Sequence, residues 1–258
     1  MREPLMTAAD WRAHPAYGTV PRIDLLDPGQ AWSRLVVVSA HPDDESLGAG
    51  GLIAAAHADG LRVYVVLLTA GEASHQGAPG SSRHALATLR LAEMENALAR
   101  LAPDTPLVFL GALDGQVAEA ERAIADSLTD LLGDAEHTLL VAPWSRDGHP
   151  DHDAAGRAAR VAAERSGAHL LEYPVWFWQR HTADEAPWEQ MVCLPLSEEF
   201  RETKAAAIEC HASQVRPSSD SPGTDALLPD RMLSHFAGTH EHFVWTPASL
   251  PTTEPTDG

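Results

Sequence analysis

"VVVSAHPDDESLGAGG" (36–51) is the stretch on which the reading of this chain turns. Val36, Val37 and Val38 form an apolar run of the kind seen in strands buried on both faces. Four ionisable residues, His41, Asp43, Asp44 and Glu45, follow within five positions. Small residues come next, and "GLIAAAHADG" (51–60) then reads as a helix closed by Gly60. A strand that runs through a charged loop into a helix is the beginning of a βα unit. In an open parallel sheet the carboxyl end of such a strand is where ligands bind.

Further along the chain the same alternation repeats. Strands are predicted over 34–40, 62–70, 106–111, 138–143 and 169–178, the last with an aromatic tail. Helices are predicted over 83–101, 117–134 and 153–167. This pattern predicts an α/β fold that is Rossmann-like: a mostly parallel sheet with helices on both faces, in a single domain. Beyond residue 180 the pattern weakens. A helix is expected over 197–214 and a loop over 215–230. The domain is expected over 1–245, with a catalytic core at about 34–180 and a C-terminal cap over 181–245, and 246–258 reads as a flexible tail.

Composition narrows the functions that fit. A formal charge of −19 leaves no Lys/Arg cluster for phosphates, which excludes nucleic acid and argues against an anionic membrane surface. There is no apolar run of about 18 residues, and the first residues lack the basic start and apolar block of a secretory signal, so a cytoplasmic protein is expected. Cys193 and Cys210 are the only cysteines, too few for a disulfide framework or a thiolate-rich zinc site. A small neutral substrate suits this balance best.

A second charged cluster, "SRDGHPDHD" (145–153), follows the predicted strand 138–143 and supplies Asp147, His149, Asp151 and His152. If both strands end at one rim, two imidazoles and one carboxylate from the clusters can meet at one ion. Such a set, with a position left open, is the pattern of catalytic Zn2+, and mixed nitrogen and oxygen ligation also admits Fe2+, Mn2+ or Co2+. The glycines of "LGAGG" (47–51) do not make a dinucleotide loop, because His41 to Glu45 stand between them and the strand. They read instead as close backbone packing. Glu45 reads as an anion near the start of a helix beginning around Gly48. His75 reads as a pocket lid or a surface loop residue, His211 as helix surface, core or pocket, and Trp176, Phe177 and Trp178 as a sugar-binding floor or core.

"AHPDDE" (40–45) together with "HPDH" (149–152) resembles the PIG-L/LmbE-like family of zinc-dependent N-acetylglucosamine deacetylases. Supporting likeness comes from "GEASH" (71–75), "LRLAE" (89–93), "LGALDG" (110–115), "YPVWFW" (173–178) and "KAAAIECHASQ" (204–214), so that the resemblance spans about 34–245. It implies that His41, Asp44 and His152 are metal ligands and that Asp43 is the general base. By the same likeness His149 protonates the leaving amine or stabilises the oxyanion, and Asp151 orients His149. Arg90 and Asp114 fall in motifs near the sugar pocket of some members, and Asp147 stands where some members carry a pocket residue of another type. The implied activity is hydrolysis of the N-acetyl, or another N-acyl, group of an amino sugar or glycoconjugate by zinc-activated water. A homo-oligomer is also expected. Two alternatives stay open: a thiol-conjugate amidase cleaving the same bond, and a metal- or carbohydrate-binding module without catalysis.

Overall fold

A computed structural model of the chain describes residues 6–25, 32–74, 82–217 and 226–246. Its strands are β1 (Arg34–Ser39), β2 (Arg62–Leu67), β3 (Leu107–Phe109), β4 (Thr138–Pro143), β5 (His169–Tyr173), β6 (Met191–Pro195) and β7 (His240–Thr246). They form one sheet in the order β3-β2-β1-β4-β5-β7-β6. The first five are mutually parallel, and β7 runs antiparallel to both β5 and β6. The helices are α1 (Ala8–Ala13), α2 (Asp44–Ala58), α3 (Arg83–Leu101), α4 (Val117–Leu132), α5 (Pro150–Ser166), α6 (Phe177–Arg180), α7 (Glu198–Ile208), α8 (Ala212–Val215) and α9 (Asp230–Leu233).

The period of two along each strand divides the core. Leu35 and Val37 of β1, with Leu139 and Val141 of β4, join Leu52 of α2, Met94 and Leu98 of α3 and Ala207 of α7 on one face. Val36 and Val38, with Leu140 and Ala142, pack on the other face against Ile124 and Leu128 of α4 and the alanine stripe of α5. Both faces are covered, so the central strands are apolar throughout. Each large side chain buried in this way contributes about 1.5–3 kcal/mol.

The segment 181–245 adds β6 and β7 to the sheet itself. It is tied to the centre by a buried group of charges. The Glu241 carboxylate accepts from the N–H groups of Gly51 (2.7 Å) and Leu52 (2.8 Å), and from Lys204 Nζ (2.7 Å). The helix predicted from residue 51 begins at Asp44, with two acidic residues in its first turn, where the helix dipole favours them. The strand predicted over 169–178 ends at Tyr173. Pro174 supplies no N–H to a ladder, and the next three N–H groups are capped by a side chain described below. The helix predicted over 197–214 breaks between α7 and α8, where His211 turns inward. Among the described residues, no helix is long and apolar enough to cross a membrane. The tail beyond residue 246 lies outside the described residues.

Candidate active site and metal centre

The sheet order reverses direction between β1 and β4, and the loops after these two strands carry the two charged clusters. The small residues after the first cluster have a packing reason. Tyr173, at the end of β5, lies under α2 and donates its hydroxyl to Val38 O (2.7 Å). A Cβ on Gly48 would fall 2.0 Å from Tyr173 Cδ2. In the second loop Gly156 lets α5 lie against the end of β4, where a Cβ would come within 2.6 Å of Pro143 O.

One ligand atom each from His41, Asp44 and His152 lies within 4.8 Å of the others, and all three residues are buried. The ring nitrogens divide their tasks. His41 Nδ1 lies 3.5 Å from Asp44 Oδ2, and His152 Nε2 lies 3.2 Å from Asp44 Oδ1. The opposite nitrogens face other carboxylates. His41 Nε2 is 3.1 Å from Asp151 Oδ2 and 3.2 Å from Asp114 Oδ1, and His152 Nδ1 is 2.8 Å from Asp147 Oδ2. A carboxylate behind each ligand histidine is the usual support of a metal site, since it fixes the tautomer and the ring orientation.

His152 is wholly buried, yet neither of its nitrogens makes a well-aligned hydrogen bond. Its close pairs with Asp44 and Asp147 need a cation between lone pairs, either a proton or a metal ion. Without metal the proton takes that place. Burial opposes protonation, but Asp44 and Asp147 push His152 up to about 9. His41 likewise stands well above its ordinary range, because Asp114, Asp151 and Asp44 outweigh its burial. Asp44 stands well below the carboxylate range, the two histidines overcoming burial. This donor set fits a divalent metal of the zinc type. A second group, His41, His149 and Asp151, is equally compact. Its carboxylate is already engaged, for Asp151 also accepts from the N–H groups of Gly115 (2.8 Å) and Val117 (3.1 Å).

Asp43 stands outside both sets. Its backbone has φ +123° and ψ −27°, a conformation that costs a residue with a side chain of order 1–3 kcal/mol. Two groups hold it. Arg90 Nη2 donates to Asp43 Oδ2 (3.1 Å) and to Pro42 O (2.6 Å), while Glu45 Oε2 accepts from the Asp43 N–H (3.2 Å). Glu45 is held in turn by Ser46 Oγ (2.7 Å) and His211 Nε2 (3.2 Å). Burial pushes the Asp43 carboxyl up to about 6, against the pull of Arg90.

His149 is the N-cap of α5, and its Nδ1 accepts from the Asp151 N–H (3.3 Å). That bond leaves the ring proton on Nε2. Burial, then the neighbouring His152 and His41, lower His149 to about 4. The sequence suggested that the Asp151 carboxylate orients His149. The carboxylate meets His41 instead, and it is the Asp151 backbone that meets His149. Asp147 was expected as a substrate contact. It is fully buried, and besides His152 it caps the N–H groups of Val175 (2.8 Å), Trp176 (3.0 Å) and Phe177 (3.0 Å). A carboxylate fits there because that turn has three free donors.

A cavity of about 330 Å³ opens over these groups. Arg90 and Asp114 line it, as do Trp176, Gln214, Leu227 and Leu228. Of the aromatic trio, Trp176 faces the cavity, its ring stacked on His149 (5.8 Å between centroids), while Phe177 and Trp178 pack against Trp11 in the core. His75 lies outside the described residues. Gln214 was not anticipated as a lining residue. It reaches the cavity because Glu93 binds Ser213 N (2.7 Å) and Oγ (2.6 Å), anchoring α8 to α3.

Two imidazoles and a carboxylate facing one another at a switch point are the ligand set of metal-dependent hydrolases, not of dinucleotide-binding sheets. Comparison with known proteins makes the class specific. The PIG-L family model, described as GlcNAc-PI de-N-acetylase, matches residues 36–163. The chain is 30% identical to a 1D-myo-inositol 2-acetamido-2-deoxy-alpha-D-glucopyranoside deacetylase of Mycobacteroides abscessus, over 82% of this chain and 91% of the relative. It is also 30% identical to a probable N-acetyl-alpha-D-glucosaminyl L-malate deacetylase of Bacillus subtilis, over 70% and 83%. The chain belongs to the PIG-L family, whose members are metal-dependent enzymes acting on N-acetyl amides. The N,N'-diacetylchitobiose deacetylase of Pyrococcus horikoshii shares the fold, with a TM-score of 0.64, 21% identity and coverage of 87% of this chain and 88% of that one.

Proposed function

We propose that the protein is a Zn2+-dependent N-deacetylase that frees the amine of a small N-acetylglucosamine-type conjugate. The carrying observation is the juxtaposition of the His41, Asp44 and His152 ligand atoms, all within 4.8 Å, with an aspartate beside them that is not part of the set. His41, Asp44 and His152 would hold the metal, with Asp151 and Asp147 fixing the two rings from behind. When bound, such an ion lowers the pKa of water to about 7 and polarises a carbonyl.

Asp43 would act as the base. It would take a proton from the water whose oxygen bonds to the amide carbon. The neutral His149 would donate from Nε2 to the carbonyl oxygen as negative charge builds there. The C–N bond then breaks. The proton taken by Asp43 passes to the departing nitrogen, so that acetate and a free amine are the products. Arg90 would keep Asp43 directed while itself tied to Gly71 O (2.9 Å) and Pro42 O.

Metal analysis paired with acetate release tests this reading. The expected result is one metal per chain, stoichiometric acetate and amine from N-acetylated glucosaminides, loss of turnover on chelation, and recovery with Zn2+, Fe2+, Mn2+ or Co2+. A protein that binds metal stoichiometrically yet frees no amine from any N-acetylated sugar would contradict it.

A further inference from the structure

We propose that the cavity selects amino-sugar conjugates whose second moiety, the aglycone, is uncharged and apolar, and discriminates against aglycones bearing carboxylates or phosphates. This rests on the deacetylase reading above. The lining separates by chemistry. One part holds the charged groups, a second holds Ala73, Ser74, Gly115 and Gln214, and the apolar remainder is Leu47, Val175, Trp176, Leu227 and Leu228. Among the described residues four large apolar side chains are exposed, and one of them, Leu227, borders this opening. Leu227 is 42% exposed. An apolar wall within a functional cavity marks contact with an apolar part of the ligand.

The charges point the same way. Among the described residues Arg90 is the one Lys or Arg that lines the cavity, and its guanidinium is buried and bonded to Gly71 O, Pro42 O and Asp43. Arg180 lies over Trp176 (5.0 Å to the ring centre), donates to Gly148 O and does not line the cavity. Asp43, Asp44, Asp114 and Asp151 stand together, so a divalent ion and Arg90 leave no positive surplus. An anionic aglycone would lose hydration without gaining a cation, and the chain's formal charge of −19 opposes its approach.

The test uses glucosaminides already lacking the acetyl group, so that binding is read without turnover. Calorimetry on the metal-loaded protein compares phenyl, methyl and L-malyl glucosaminides. Acetate release is then measured from the matching N-acetyl forms. The phenyl compound is expected to bind about tenfold more tightly than the methyl one, and the malyl compound about tenfold more weakly. Leu227→Arg is expected to narrow the gap between phenyl and malyl. Equal or tighter binding of the malyl compound by the unaltered protein overturns the proposal, even if acetate is released from every substrate. The expected binding order with no acetate from any N-acetyl form sustains the proposal and refutes the deacetylase reading instead.

Discussion

The loop after β1 and the loop after β4 both contain His-Pro-Asp, at 41–43 and 149–151, and the backbone uses the triplet differently in each. In the first, His41 turns to Asp44, the Pro42 carbonyl accepts from Arg90, and Asp43 is held at φ +123°. In the second, His149 is an ordinary extended N-cap, Pro150 stands at the first helical position where its fixed φ suits, and the Asp151 carboxylate is sunk into the 115–117 turn. Strain is therefore confined to the loop that must hold a carboxylate in the cavity. The same dehydration also moves the two functional groups in opposite directions. It raises Asp43 to about 6 and lowers His149 to about 4, because burial penalises whichever form is charged.

The largest effects should come from the first loop. Asp44→Ala is expected to abolish both metal content and turnover. Asp43→Asn keeps the shape and removes the proposed base, so kcat should fall by about 10²–10⁴ with metal content unchanged. Metal analysis alongside single-substrate kinetics reads both. Loss of metal from Asp43→Asn would show that the two aspartates are not separate in role, and the contrast between the loops would collapse.

In the second loop His149→Gln should lower kcat by about 10², a smaller loss, since on the proposed mechanism a donor to the oxyanion is removed while base and ligands stay. Metal content is again expected to hold. If His149→Gln also lost the metal, the alternative group of His41, His149 and Asp151 would be the true ligand set.

The parallel core and its two charged loops were legible in the sequence, because doubly covered strands are continuously apolar and each is followed by a crossover helix. The α3 boundaries were legible at both ends: Ser82 caps the start, and the helical period runs to Leu101. β6 and β7 were not, for reasons of context. They pair antiparallel at one margin although α7, α8 and α9 separate them in the chain, so no hairpin turn in the sequence marks the pairing. In the site, the meeting of two imidazoles and a carboxylate from the two loops was legible from residue types and strand ends, while the choice of His41, Asp44 and His152 came from the family resemblance. The choice of supporting carboxylate was not. Which aspartate meets which imidazole depends on ring rotation and helix pitch, so Asp151 went to His41 and Asp147 to His152. His211 was hidden too, because a break in a helical run is needed to turn it towards Glu45.

The opposed shifts give a pH test on the metal-free protein. A carboxyl raised in the folded state favours folding at low pH, and that contribution is lost as pH rises from about 3.8 through 6. An imidazole lowered in the folded state favours folding above 6.5, and that contribution is lost as pH falls towards 4. Between pH 4 and 6 the two oppose each other in the native sequence. Asp43→Asn should therefore steepen the gain of stability with pH in denaturant titrations, and His149→Gln should flatten it. The His149 contribution amounts to about 2 kcal/mol after allowing for its partial exposure. Parallel slopes in all three proteins would mean that neither group is dehydrated as the structure has it.

The smallest effect tests why only the first loop needs support. Glu45 Oε2 accepts the Asp43 N–H, and no counterpart is required in the second loop, where the helix start is relaxed. Glu45→Gln keeps an acceptor and the side-chain volume but removes the negative charge that strengthens this bond and pairs with His211. A charged hydrogen bond exceeds a neutral one by about 1 kcal/mol. Relaxation of Asp43 by that amount should lower kcat about fivefold, with KM and metal content little changed. His211→Gln should show a weaker version of the same change, since it acts one residue further back. An unaltered kcat in Glu45→Gln, at native metal content, would mean that Arg90 alone keeps Asp43 in its strained backbone.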